Sequence, residues 1–145
     1  MKLDGWNTIT LNSISKTLIW MNTKFLMISS AIVTGLPGIT ASFLPTEILK
    51  TIGVTPNELL TLFVQITGAL YLGFAIMNWM AKTVLIGGIY AKPLGMGNFL
   101  HFTVAAIALF KFAIHNHGSI YIWVATIVYC CFAILFGLVV FTSPK

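Results

Sequence analysis

The sequence predicts an all-α integral membrane protein, a single domain in which four helices cross the bilayer as an up-down bundle, and three observations carry that prediction. Of 145 residues, 58% are hydrophobic and 8% charged, with a mean hydropathy of +0.96. That is more apolar surface than a soluble domain of this size can bury, so acyl chains are the fitting solvent. The charged side chains, eight lysines with Asp4, Glu47 and Glu58, fall almost wholly between the apolar runs. Each run approaches the length of about 20 residues that a hydrocarbon core of about 30 Å requires.

Residues 1–23 alternate polar and apolar groups. From Asn12 onward Ile14, Leu18, Ile19 and Met21 fall at helical spacing beside Lys16 and Lys24, the pattern of an N-terminal interfacial helix leading into the bilayer. The first span covers about residues 25–44, and Pro37 between Gly35 and Gly38 is expected to bend it. Ile39-Thr40-Ala41 loosely imitates a signal-peptide cleavage site, but the leading segment is long and polar, so a retained span is expected. Pro45 to Val54, with Glu47 and Lys50, is too short to span and reads as an interfacial connector ending in a glycine region.

Thr55-Pro56-Asn57-Glu58 offers a hydroxyl at the N-cap, proline at the first helical position and glutamate at the third, and so opens the second span, about residues 57–81. Ten Leu, Ile, Phe or Val residues between Leu59 and Ala81 contribute about −0.3 to −0.6 kcal/mol each at mid-membrane, enough to carry Gln65 and Asn78 across. Residues 83–97 are interrupted by Gly87, Gly88, Pro93, Gly95 and Gly97, and a headgroup-level loop anchored by Tyr90 and Lys92 is expected there. The third span, about residues 98–114, is short and carries Lys111 near its far end, where a lysine can snorkel. His115-Asn116-His117-Gly118 is a polar turn. The fourth span covers residues 119–141, with Tyr121 and Trp123 at the outer belt.

Lysine placement sets the orientation. Lys2, Lys16, Lys24, Lys82, Lys92 and Lys145 fall on one side, Lys50 and Lys111 on the other, which predicts an inner-membrane protein with both termini cytoplasmic.

Five polar residues would share one membrane depth: Asn78, Trp79 and Lys82 at the end of span two, Asn98 and His101 at the start of span three. They form either a pocket for a lipid or quinone headgroup, open to the cytoplasmic leaflet, or ordinary interhelical hydrogen bonds and an aromatic-belt tryptophan. In span three, Asn98, His101, Ala105, Ala108 and Phe112 follow a three/four spacing that lets a neighbour approach closely. In span two, Gln65, Gly68, Leu72 and Trp79 make a similar stripe, and Ala69 with Gly73 a small-xxx-small pair, suited to helix packing within the bundle or between copies.

Several chemistries are disfavoured. The single lysines and the lack of arginine argue against a nucleic-acid partner, and against holding an anionic tripeptide as glutathione-using membrane enzymes do. No carboxylate lies in the interior of a span, Glu58 standing at the very start of the second, against a proton-coupled exchanger. An H-x-H turn without a third ligand is weak as a metal site, and Cys130 and Cys131, adjacent inside the last apolar run, read as inert thiols. No nucleophile falls near a histidine and carboxylate in a hydrolase motif. The expectation is therefore no metal, no cofactor and no catalytic residue.

The stretch from Gln65 through Gly68-Ala69, Gly73, Asn78-Trp79 and Lys82, followed by Gly87-Gly88-Ile89-Tyr90 and Gly97-Asn98 to His101, resembles small four-span bacterial membrane proteins of Bacteroidetes type, across about residues 25–115. In size and topology the chain is also broadly similar to DoxX-like bundles. The resemblance implies a four-span fold and transfers no activity. The functional expectation is a self-associating bundle or a small accessory subunit of a membrane complex, in contact with membrane lipids, with the headgroup pocket as the alternative.

Overall fold

The computed structural model describes the backbone of residues 4–84, 91–115 and 119–142, and side chains within those ranges from residue 23 to residue 141. Every regular element among them is helical: α1 (Asp4–Phe43), α2 (Pro45–Thr51), α3 (Glu58–Met80) closed by a 3-10 turn (Ala81–Thr83), α4 (Lys92–His115) and α5 (Ile120–Thr142). Four stretches, Thr23–Phe43, Glu58–Thr83, Lys92–His115 and Ile120–Phe141, are long and apolar enough to cross a membrane. The chain thus has the make-up of a multi-pass membrane protein. It divides into two compact units, Met1–Thr83 and Val84–Lys145.

In the first unit α1 packs against α3. On α1 the buried positions are Thr23, Leu26, Met27, Ser30, Ala31, Thr34 and Gly38; on α3 they are Gly68, Ala75 and Asn78, flanked by half-buried Val64 and Tyr71. Both series advance by threes and fours, the repeat that keeps a narrow seam on one side of a helix. The helices run antiparallel: Ser30 meets Asn78, a Cβ on Gly35 would lie 3.4 Å from that of Ala75, and Gly38 and Gly68 approach the backbones of Leu72 and Ser42. Small side chains dominate because helices in lipid gain little hydrophobic free energy from each other and are held by dispersion and hydrogen bonds, which need close approach.

Three boundaries differ from the sequence expectation. The segment expected as an interfacial helix leading into the bilayer is the N-terminal part of α1, one helix with the first span, and Pro37 lies inside it. The cap of α3 is Asn57 rather than Thr55: its backbone is extended (φ −132, ψ 165) and its Oδ1 accepts the Leu60 N–H at 2.8 Å. An Asn cap competes well with Thr, and with Asn57 as cap Glu58 becomes the first helical residue, so no capping box forms. The third spanning helix begins at Lys92 rather than Asn98. Ala91 accepts its first bond, from Gly95 N at 3.1 Å, and Pro93 falls in the first turn, where its missing N–H has no helical partner to lose. Gly95 lies on the buried face of that helix, while Gly87 and Gly88 lie outside the described residues. The anchor Tyr90 and the turn residues Asn116, His117 and Gly118 lie outside the described residues.

The connector Pro45–Thr51 is helical, with Pro45 in its first turn and Pro45 and Leu49 buried. It ends in a Schellman arrangement: Val54 N donates to Leu49 O at 2.9 Å and Gly53 N to Lys50 O at 3.0 Å. Gly53 takes φ +78 there, a conformation that side-chain-bearing residues rarely adopt.

In the second unit α4 and α5 pack antiparallel through aromatic rings. Phe102 is fully buried and stacks on Phe132 (centroids 4.9 Å apart) and Phe136 (5.7 Å), with Tyr129 edge-on at 5.3 Å. Phe99 meets Phe141 toward one end and Phe110 meets Trp123 toward the other, both edge-to-face. Tyr129, Phe132 and Phe136 repeat at three/four spacing, so one face of α5 supplies the rings that meet Phe102. Offset and edge-to-face pairs add about 0.5–1.5 kcal/mol each beyond area burial.

Candidate functional site

Asn78, Trp79 and Lys82 belong to the first unit, and Asn98 and His101 to the second, so each set has its own surroundings. Asn78 is fully buried and turned toward α1, where its Nδ2 donates to Ser30 Oγ at 3.1 Å. Ser30 in turn donates to Met27 O at 3.0 Å. Asn78 thus closes a hydrogen-bonded link between α1 and α3. Ser30 and Thr34 both return their hydroxyl protons to carbonyls of α1, Thr34 to Ser30 O at 2.8 Å.

Trp79, one residue further, is turned outward and is 51% exposed. The Lys82 ammonium stands over its ring, 3.5 Å from the centroid, a cation–π pair at the end of the span. Of the three, then, Trp79 and Lys82 stand together on the outer surface and Asn78 faces the helix seam.

Asn98 is fully buried in α4, and its Nδ2 donates to Leu94 O at 3.0 Å. His101 is half-buried; its ring lies edge-on to Phe102 (5.2 Å) and tilted against Tyr129 (6.2 Å), at the margin of the aromatic cluster. Along α4 the buried line is Gly95, Asn98, Phe102, Ala106 and Ala113, whereas Ala105 is half-buried and Ala108 and Phe112 are exposed. His115 is exposed.

The residues expected to pack on α3 separate in the same way. Gly68 lies at the tightest crossing with α1, while Gln65, Ala69 and Gly73 are exposed. Sequence reasoning missed the α1 half of that crossing, Ser30, Thr34, Gly38 and Ser42; the recurrence of small or hydroxyl residues every three or four positions was the available signal. It also missed the ring cluster around Phe102.

Along the α4–α5 seam run two shallow hollows. One, about 460 Å³, lies among Phe99, Gly137 and Phe141; the other, about 370 Å³, among Ala106, Phe110 and Cys130; Thr103, Ala133 and Ile134 border both. Their walls are almost wholly apolar, so they suit acyl chains or side chains rather than a polar substrate. Among the described residues no group of three His, Cys, Asp or Glu side chains is placed to hold a metal ion.

Comparison with models of known families, with curated proteins and with solved structures gave no match.

Proposed function

We propose that this chain is a non-catalytic subunit of helical membrane assemblies, associating with itself or with a larger complex, in the inner membrane with both termini cytoplasmic. One observation carries the preference: Asn78 and Asn98, the amides a headgroup pocket would need, are both fully buried and bonded to Ser30 and to the α4 backbone. Groups held in this way act as packing determinants. The antiparallel run of α1 and α3 supports the orientation, since it puts Lys24 and Lys82 at one end of the first unit and Glu47, Lys50 and Glu58 at the other. The likeness to small four-span bacterial proteins belongs to the same proposal. Native mass spectrometry from mild detergent tests it. Oligomers, or a stoichiometric companion protein, are expected; a strictly monomeric particle without companions refutes it.

A second reading is favoured by the Trp79–Lys82 pair alone, whose exposed indole with the half-buried lysine over it suits a lipid or quinone headgroup. On that reading, Trp79→Ala abolishes retention of a co-purifying lipid or quinone while the helices stay folded. Unchanged retention removes the site.

A further inference from the structure

Lys24 and Lys82 carry charge that no side chain of this protein is placed to neutralise. Both belong to the same end of the first unit. The 3-10 turn that holds Lys82 packs against α1. From the Asn78–Ser30 bond, Lys24 lies about 9 Å toward that end along α1, and Lys82 about 6 Å along α3 and its closing turn, at 1.5 Å per residue. Lys24 is exposed; Lys82 is half-buried, with its ammonium 3.5 Å from the centre of the Trp79 ring. That contact orients the ammonium and leaves its charge in place. Glu47 and Glu58 stand at the other end of the unit, and Asp4 is about 30 Å from Lys24 along α1. Residues 84–145 contain no Asp or Glu, so the second unit has no acidic side chain to offer from any position.

We infer that Lys82, Trp79 and Lys24 hold the phosphate of an anionic phospholipid. The inference rests on the headgroup reading above and names the headgroup's charge. Three properties select this occupant. The Trp79–Lys82 pair closes a candidate span, and Trp and Lys at such an end lie at the level of the headgroups. An ammonium takes a phosphate as a point charge, and the indole N–H, a donor only, adds a hydrogen bond to a phosphate or ester oxygen. Two cations without a neutralising carboxylate favour a headgroup of net negative charge over a zwitterionic one, and over a quinone, which brings no charge for them to meet.

The test uses the full chain reconstituted in bilayers of equal parts phosphatidylglycerol and phosphatidylcholine with the same acyl chains, followed by native mass spectrometry from mild detergent. Retained lipid is expected to be enriched in phosphatidylglycerol. Lys82→Gln and Lys24→Gln should each lower that enrichment about fivefold, the scale of one lysine at an anionic membrane surface. Lys50→Gln, at the opposite end, should leave it unchanged. Glutamine keeps each side chain long and polar, so the helices should persist in all three. Inorganic phosphate in excess should not displace the lipid. Equal retention of the two lipids, an equal loss from Lys50→Gln, or displacement by inorganic phosphate overturns the inference. Trp79→Ala separates the two levels. Retention of lipid or quinone that needs Trp79 but is indifferent to headgroup charge sinks the inference alone, whereas retention that ignores Trp79 as well sinks the headgroup reading with it.

Discussion

Adding one methyl group to α3 should have opposite consequences at two glycines five residues apart. At Gly68 the new Cβ would lie 2.5 Å from Ser42 N, 2.6 Å from Ser42 Oγ and 2.8 Å from the Ala41 carbonyl carbon. Two of those atoms are backbone and cannot rotate aside, so α1 must retreat bodily from α3. That retreat loosens the approach of Gly38 to Leu72 and lengthens the Asn78–Ser30 bond. Overpacking of this kind costs about 1–3 kcal/mol, and the better helix propensity of alanine returns about 1. Gly68→Ala should therefore destabilise the first unit by up to about 2 kcal/mol net. Gly73→Ala meets no atom within 4 Å and should stabilise the monomer by up to about 1 kcal/mol. Reversible SDS unfolding in mixed micelles, at a dilution where the particle is monomeric, gives both values against one reference. If Gly68→Ala is as stable as Gly73→Ala, the α1–α3 crossing described above is wrong.

Three further outcomes follow from single contacts. Phe102→Ala removes the ring that stacks on Phe132 and Phe136 and should cost about 3 kcal/mol, read as early loss of the near-ultraviolet signal of α4–α5; a change below about 1 would mean the cluster does not hold the pair. Asn57→Ala deletes the α3 cap and should cost about 1 kcal/mol, while Asn57→Asp, which keeps the acceptor, should be close to neutral; equal losses would discredit the cap. The Thr46 hydroxyl, 2.8 Å from the exposed Glu47 carboxylate, holds that carboxyl below its ordinary range, with its own backbone N–H and Lys50 acting in the same direction. The stabilisation is thus present above the unfolded pKa and is lost as pH falls through the lowered folded value. Thr46→Ala should move the Glu47 titration upward in NMR, and an unmoved midpoint would rule out the hydroxyl as the cause.

Much of the architecture is legible without coordinates because a bilayer imposes it. Lysines and carboxylates that must stay near water mark the ends of runs that must not, and hydrogen-bond closure in lipid leaves helix as the available form for those runs. The boundaries were less legible. Pro93, Gly95 and Gly97 look like a loop in one dimension because their propensities are poor, but Pro93 falls in a first turn that needs no N–H and Gly95 on the buried face. Thr55 and Asn57 are both good caps, and only the extended backbone at Asn57 decides between them.

What the residues alone determined is which segments are helical and apolar enough to lie in a membrane, since composition and length suffice for that. Which face of each helix is covered was decided by tertiary contact. Gln65, Ala69 and Gly73 share a small-residue pattern with Gly68, yet Gly68 alone meets the backbone of α1, and Asn78 turns inward to Ser30 while its neighbour Trp79 turns out beneath Lys82. At 100° per residue adjacent positions diverge almost at right angles. A sequence thus offers several equivalent stripes, and only the position of the partner helix selects among them.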